Sequence, residues 1–193
     1  MLPETGSTLK GQDKTEAVNA TSQLYRSLAE RFAEMARDQL GPHLTCIVLY
    51  GSVARGSARP DSDIDLFVVA GQTDEDKEPL WDRILDLEQT FWNDQEVTML
   101  REQGYRASIE TYVVNRAQAQ RGLPIYLDMT LEAVVLHDPE NFFSRRLEQV
   151  RQRMAELKSQ REWLSQDTYV WQLKANAEPG EVVSLPYVEE PQI

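Results

Sequence analysis

The chain has 193 residues, 41% hydrophobic and 27% charged, which suits one globular domain with a modest core and an appended helical part. Thirty-two Asp and Glu against twenty Lys and Arg give a formal charge of −12, and such a surface repels a phosphate backbone, so extended DNA or RNA is disfavoured as a partner. Cys46 as the only cysteine excludes an intrachain disulfide, and His43 and His137 as the only histidines argue against a structural zinc site.

Residues 1–14 are polar, carry Pro3, Gly6 and Gly11, and are expected to form a flexible lead-in. Leu2-Pro3-Glu4-Thr5-Gly6 matches the L-P-x-T-G pattern of sortase substrates, at the wrong end of a chain for wall anchoring. From Thr15 to Leu40, the residues Tyr25, Leu28, Phe32 and Met35 recur at three- and four-residue spacing, which predicts one face of an amphipathic helix. Gly41-Pro42 should end it, and the face should pack on a sheet beginning near Leu44.

Cys46 to Tyr50 is an apolar run that reads as a buried strand. Gly51-Ser52 follows as a turn, then a polar loop with Arg55 and Arg59, then a second apolar run to Ala70 into which Asp63 and Asp65 are set. Alternation along a strand sends Asp63 and Asp65 to one face and Ile64 and Leu66 to the other, into a core. Two carboxylates so placed repel unless a cation lies between them, and Mg²⁺ is the hard ion suited to such a pair. A short helix starting at Gly51-Ser52 would offer its free N–H groups to a phosphate. Taken alone, Asp61-Ser62-Asp63-Ile64-Asp65 also reads as a solvated acidic turn. Taken with the preceding strand, Gly-Ser and ten residues from Val53 to Ser62, it makes the chain resemble the nucleotidyltransferases of the DNA-polymerase-beta superfamily. The resemblance is to the minimal nucleotidyltransferases in particular, whose signature is G-S-x10-D-x-D; the fillings Ala54-Arg55-Gly56 and Ser62 to Leu66 also fit.

Gly71 to Glu78 reads as a charged loop, and Leu80, Ile84, Leu87 and Phe91 then mark a helix with Pro79 in its first turn. Trp81 and Trp92 on it read as packing residues in preference to a base-stacking platform. Arg106 to Val114 alternates as a strand, with Ser108, Glu110 and Tyr112 on one face and Ile109, Thr111 and Val113 on the other. Gly122 to Asp138 predicts a short helix and then a strand, with Asp128 and Asp138 as capping or turn residues. Phe143, Leu147, Val150, Met154, Leu157 and Leu164 predict a further helix, interrupted by Arg161, that also carries Arg145, Arg146, Arg151, Arg153 and Lys158. Its charges read as a solvated face balancing the acidic body, with a nucleotide or acceptor contact as the sharper alternative. The stretch from Tyr169 to Ile193 reads as an ordered extension. No run approaches the roughly 18 apolar residues of a membrane span, no signal-peptide pattern is present, and the expected compartment is the cytoplasm.

The resemblance implies an α+β, polymerase-beta-like fold, a small mixed sheet flanked by helices with a C-terminal helical extension. The expected division is a lead-in over 1–14, a nucleotidyltransferase domain over 15–140 and a helix-and-tail extension over 141–193. It also implies transfer of a nucleoside monophosphate from an NTP, with ATP favoured, to an acceptor hydroxyl with release of pyrophosphate. Asp63 and Asp65 would hold two Mg²⁺ ions, and Glu110, the acidic residue of the 106–114 strand, takes by resemblance the place of the third carboxylate, with an exposed edge-strand glutamate as the alternative. Gly51 and Ser52 would cradle the β- and γ-phosphates, and Arg55 or Arg59 would neutralise charge on the leaving pyrophosphate. Minimal nucleotidyltransferases often act as antitoxins on a HEPN-domain ribonuclease toxin, which makes a protein acceptor the leading expectation. The alternatives are an aminoglycoside-type antibiotic as acceptor, an RNA 3′-end nucleotidyltransferase toxin, and a nucleotide-binding regulatory protein without turnover.

Overall fold

The two apolar runs around Gly51-Ser52 become neighbouring antiparallel strands, β1 (Leu44–Tyr50) and β2 (Ile64–Ala70). The structure, a computed structural model, describes residues 7–185 apart from 73, 166, 167 and 179, with side chains described from residue 17 and not for 74–79. β3 (Ile109–Val114) runs parallel to β2, and β4 (Val134–His137) runs antiparallel to β1, giving a four-stranded mixed sheet in the order β3-β2-β1-β4. The C-terminal end of β1 and the N-terminal ends of β2 and β3 therefore meet at one edge of the sheet.

Period-two alternation sends side chains into two separate cores. Ile47 and Leu49 of β1 and Ile64, Leu66 and Val68 of β2 face helix α1 (Ser7–Leu40) and helix α3 (Asp74–Trp92), where Phe32 meets Phe91 edge to face at 5.6 Å. Cys46, Val48, Phe67 and Val69 face the other way, against α6 (Ile125–Glu132) and α7 (Phe142–Leu157). Burial pushes the Cys46 thiol up, as expected for an inert cysteine in such a strand. The α+β class and the mixed sheet flanked by helices agree with the sequence-based expectation. Among the described residues, no helix is long and apolar enough to cross a membrane.

Several boundaries differ. The lead-in expected over 1–14 lies outside the described residues as far as residue 6, together with the L-P-x-T-G match, and from Ser7 the backbone is helical. Gly41, at φ +55, and Pro42 end that helix as expected. The loop expected over 71–78 is shorter, because α3 already starts at Asp74. α4 (Gln95–Glu102), capped by the Asp94 carboxylate on the N–H groups of Glu96 and Val97, and α5 (Arg116–Ala119), closed by an Asn115/Gln118 capping box, were not anticipated. Trp81 and Trp92 are about two-fifths exposed, and the Arg101 guanidinium covers Trp92 at 3.7 Å.

The last predicted helix ends at Leu157 instead of running to Leu164. Lys158 adopts the left-handed conformation at φ +57, and the N–H of Ser159 donates to Met154 O. The chain then forms a hairpin of β5 (Gln160–Trp163) and β6 (Tyr169–Gln172), so the extension is a helix and a hairpin. Nor is the basic face of α7 free. Arg146 is buried, donates to Arg121 O and lies against Tyr126, while Arg151 donates to Thr130 O. Asp138 caps α7 as expected, accepting from the N–H groups of Phe143 and Ser144. Asp128 instead anchors the hairpin, accepting from the Tyr169 hydroxyl and Trp171 Nε1.

Candidate active site

At the shared strand edge, Tyr50 of β1 is paired with Asp65 of β2, and Asp65 is paired with Glu110 of β3. The alternation that buries Phe67 and Val69 on the α6–α7 side puts Asp65 on that side too, at the rim where the covering layer gives out. Asp63 lies one residue before β2, just after the last turn of the motif loop, and Ile64 N–H donates to Ser108 O to extend the pairing with β3. The strand of the expected third carboxylate is thus the parallel neighbour of the Asp-x-Asp strand.

Gly51 opens the four-residue helix α2 (Gly51–Ala54), directly after β1. Its φ is +72, and a Cβ built on it would collide with Oδ2 of Asp65 and lie 3.0 Å from Cγ. Glycine is required there both for the backbone conformation and for the closeness of the carboxylate. Ser52 is half-buried in the same turn, and Arg55 N–H and Ser57 N–H donate to Gly51 O and Ser52 O to fix it.

The loop from 55 to 63 is tied down from outside. Ala58 N–H donates to Ser22 Oγ of α1, and the Tyr25 hydroxyl donates to Pro60 O at 2.6 Å while accepting from Ala107 N–H. Arg59 is exposed, with its N–H on Ser62 Oγ. Arg55 leaves the loop in the other direction to pair with Glu132 at 2.6 Å; Glu132 is nearly buried and also takes Arg161 of the hairpin at 2.8 Å.

Burial, the neighbouring Asp63 charge and the Glu110 charge push the Asp65 carboxyl up to about 6, against the opposing pull of Arg55. Burial first, then Asp65, Tyr112 and Glu110, likewise push the Tyr50 phenol up to about 12. The rim therefore carries negative charge that the protein compensates only in part. Oδ1 of Asp63 is shielded from solvent and accepts no aligned hydrogen bond, although Arg106 Nε stands 2.6 Å away. That contact is one of charge, and Arg106 also lies 3.8 Å from Glu110, which accepts a long hydrogen bond from Ser108 Oγ. Among the described residues, no three acidic, imidazole or thiol groups stand together as a ready-made metal cage. The donors nonetheless fit a hard divalent cation: carboxylate oxygens only, one of them buried without an aligned partner, beside a glycine that leaves the carboxylate room.

The structure brings Gly51, Ser52, Asp63, Asp65 and Glu110 to one rim. Arg55 sits at its side and is held by Glu132, while Arg59 is on the loop surface. Arg106, Tyr50, Tyr25 and Glu132 were not anticipated as part of the site. Their placement depends on contacts across 35 to 82 residues for Tyr25 and across 77 for the Arg55–Glu132 pair, and local periodicity carries no signal for these.

Residues 32–113 match the family model described as "Polymerase beta, Nucleotidyltransferase". That stretch carries the features of a nucleotidyltransferase domain of the polymerase-beta type. The motif strands, Gly-Ser turn and Asp-x-Asp all fall inside it. No curated protein matches the chain. Among solved structures it is similar to a toxin–antitoxin with AMP-PNP, at 17% identity over 67% of this chain and 92% of that one, with a TM-score of 0.38. It is similar to a putative nucleotidyltransferase from Sulfolobus solfataricus, at 19% identity over 64% and 89%, with a TM-score of 0.36. The toxin–antitoxin MntA-HepT gives 18% identity over 68% and 92%, with a TM-score of 0.35.

Proposed function

We propose that the protein transfers a nucleoside monophosphate from an NTP, with ATP favoured, to a hydroxyl of a protein acceptor in a Mg²⁺-dependent reaction. The observation that carries this reading is the strand-edge register, Tyr50–Asp65–Glu110 across β1, β2 and β3, beside the Gly51-Ser52 turn. Mg²⁺, when bound, supplies charge neutralisation at the phosphates and lowers the barrier to attack at the α-phosphorus. Asp63 and Asp65 hold the metal, with Glu110 as the further carboxylate. Gly51 and Ser52 receive the β- and γ-phosphates through backbone N–H and hydroxyl, and Arg59 and Arg55 lend positive charge. Glu110, the most exposed of the three carboxylates, accepts the proton of the attacking hydroxyl. The new oxygen–phosphorus bond forms as the α–β anhydride breaks, and pyrophosphate leaves.

The acidic surface disfavours an extended nucleic acid as acceptor. The role of antitoxin towards a HEPN-type toxin rests on the resemblance of the G-S-x10-D-x-D signature to minimal nucleotidyltransferases. A regulatory nucleotide binder without turnover is the second reading, favoured by the exposure of Glu110, which leaves the third carboxylate half in solvent. The test is incubation with each NTP labelled at the α-phosphate and Mg²⁺, in parallel with a purified HEPN-type toxin, tRNA or an aminoglycoside, followed by gel and thin-layer autoradiography. Label on the toxin, lost in Asp63→Asn, supports the transferase. Nucleotide binding without label on toxin, tRNA or aminoglycoside favours the binder, and label on tRNA or drug redirects the acceptor.

A further inference from the structure

Arg106 occupies an over-determined position. Its N–H donates to Pro60 O at 2.7 Å, and the next residue, Ala107, is fully buried in a left-handed conformation at φ +47, with its own N–H held by the Tyr25 hydroxyl. An alanine keeps that conformation only where its surroundings enforce it. Tyr25 enforces it here by bridging Pro60 and Ala107. The effect is to launch the Arg106 side chain from a fixed backbone across the strand edge, where Nε lies 2.6 Å from Asp63 Oδ1 and a terminal nitrogen 3.8 Å from Glu110 Oε1. Arg106 is thus the one described cation in ion-pair contact with both carboxylates.

We propose that Arg106 competes with the divalent metal for Asp63 and Glu110, so that metal entry and release of the Arg106 guanidinium are a single event. The proposal rests on the reading of these carboxylates as metal ligands. A guanidinium and a metal ion cannot both lie against the shielded Oδ1 of Asp63, because two cations at that spacing repel. Without metal, Arg106 keeps the rim carboxylates from driving each other apart. With metal, it is displaced from a backbone that stays in place. Arg106 is then a positioning residue that sets the metal concentration at which the site assembles.

The test is Mn²⁺ binding followed by electron paramagnetic resonance, with no nucleotide, on the wild-type protein, Arg106→Met and Arg106→Lys. The Met variant is expected to bind Mn²⁺ roughly tenfold more tightly, a half-exposed competing charge having been removed. Its metal-free melting temperature falls below that of the wild type, and its rise on adding Mn²⁺ is larger. The Lys variant, which keeps the charge, stays near the wild type. Equal or weaker Mn²⁺ binding by Arg106→Met overturns the proposal and leaves the metal site standing. No Mn²⁺ binding by the wild type overturns the reading of the carboxylates and this inference with it. Should Arg106→Met fail to fold, Mg²⁺ titration of isotope-labelled wild type decides. The Arg106 Nε–H resonance, assigned by its absence from Arg106→Lys, must shift on titration; a resonance fixed at saturating Mg²⁺ also overturns the proposal.

Discussion

Gly51 leaves no room for a side chain beside Asp65: a Cβ at that position would run into the Asp65 carboxylate. Gly51→Ala therefore combines a left-handed backbone that alanine resists with a collision against a charged oxygen. The expected loss is about 2–4 kcal/mol of stability, read as a lower urea midpoint. The NTP-dependent rise in melting temperature should vanish as well, because Asp65 must move to admit the methyl. A variant that melts lower but keeps a full NTP response would show that the glycine serves the backbone alone.

The raised Asp65 carboxyl predicts how the metal-free protein responds to pH. In the unfolded chain this group titrates near the ordinary aspartate value of about 4, and in the folded chain near about 6. Between these values the folded state binds more protons, so stability falls as pH rises through that window and levels off above it. Because the group is partly solvated, the loss is on the order of 1–2 kcal/mol. Melting temperatures across that range should decline towards neutrality. Asp65→Asn should flatten the decline and melt higher than the wild type at about pH 8, at the expense of metal binding. An unchanged profile in Asp65→Asn would assign the pH dependence to another group.

Glu132 holds Arg55 and Arg161 together, one from the motif loop and one from the hairpin. Glu132→Ala leaves two partly buried cations facing each other and should cost about 2–4 kcal/mol. Limited proteolysis should then cut first in the β5–β6 turn, with α7 still protected. Arg55→Ala should cost less, since Glu132 keeps Arg161.

Arg59 is exposed, with no side-chain ion pair among the described residues. Arg59→Ala should leave stability within about 0.5 kcal/mol of the wild type while weakening NTP binding, measured by calorimetry in Mg²⁺. A neutral effect on both would remove Arg59 from the nucleotide site.

Tyr25→Phe tests the clamp between the motif loop and β3. The hydroxyl donates to Pro60 O and accepts from Ala107 N–H, and its loss leaves a buried N–H without a partner, at a cost of about 1–3 kcal/mol. Hydrogen exchange at Ala107 should rise well above that in the middle of β3.

The strands and the rim were legible because β1 and β2 are short continuous apolar runs, buried on both faces, and the Gly-Ser to Asp-x-Asp spacing is a local pattern. The face of Glu110 followed from its alternation with Ile109 and Thr111, whereas its role was implied by the resemblance alone. Boundaries were less legible where short-range chemistry overrides periodicity. Asp94 starts a new helix within two residues of the end of α3, and the left-handed Lys158 stops α7 although apolar residues continue at helical spacing to Leu164. Arg161 looked like a flaw in a helical stripe; it is the inward residue of a strand, set against the Trp163 and Tyr169 rings where these meet edge to face, and paired with Glu132. Arg106 carried no signal at all, because its meaning comes from Pro60, Tyr25 and Asp63, which the fold brings to it.

The second core has a consequence for any attempt to treat the motif-bearing part as a detachable unit. Cys46, Val48, Phe67 and Val69 are covered by Phe142, Phe143, Leu147 and Val150 of α7, all beyond the stretch that the family model matches. A fragment ending before α7 would keep its signature and present a bare greasy wall to solvent, and such walls find one another. Transplanting the motif into a new setting therefore means carrying its far-end lining along, or supplying another helix of the same shape.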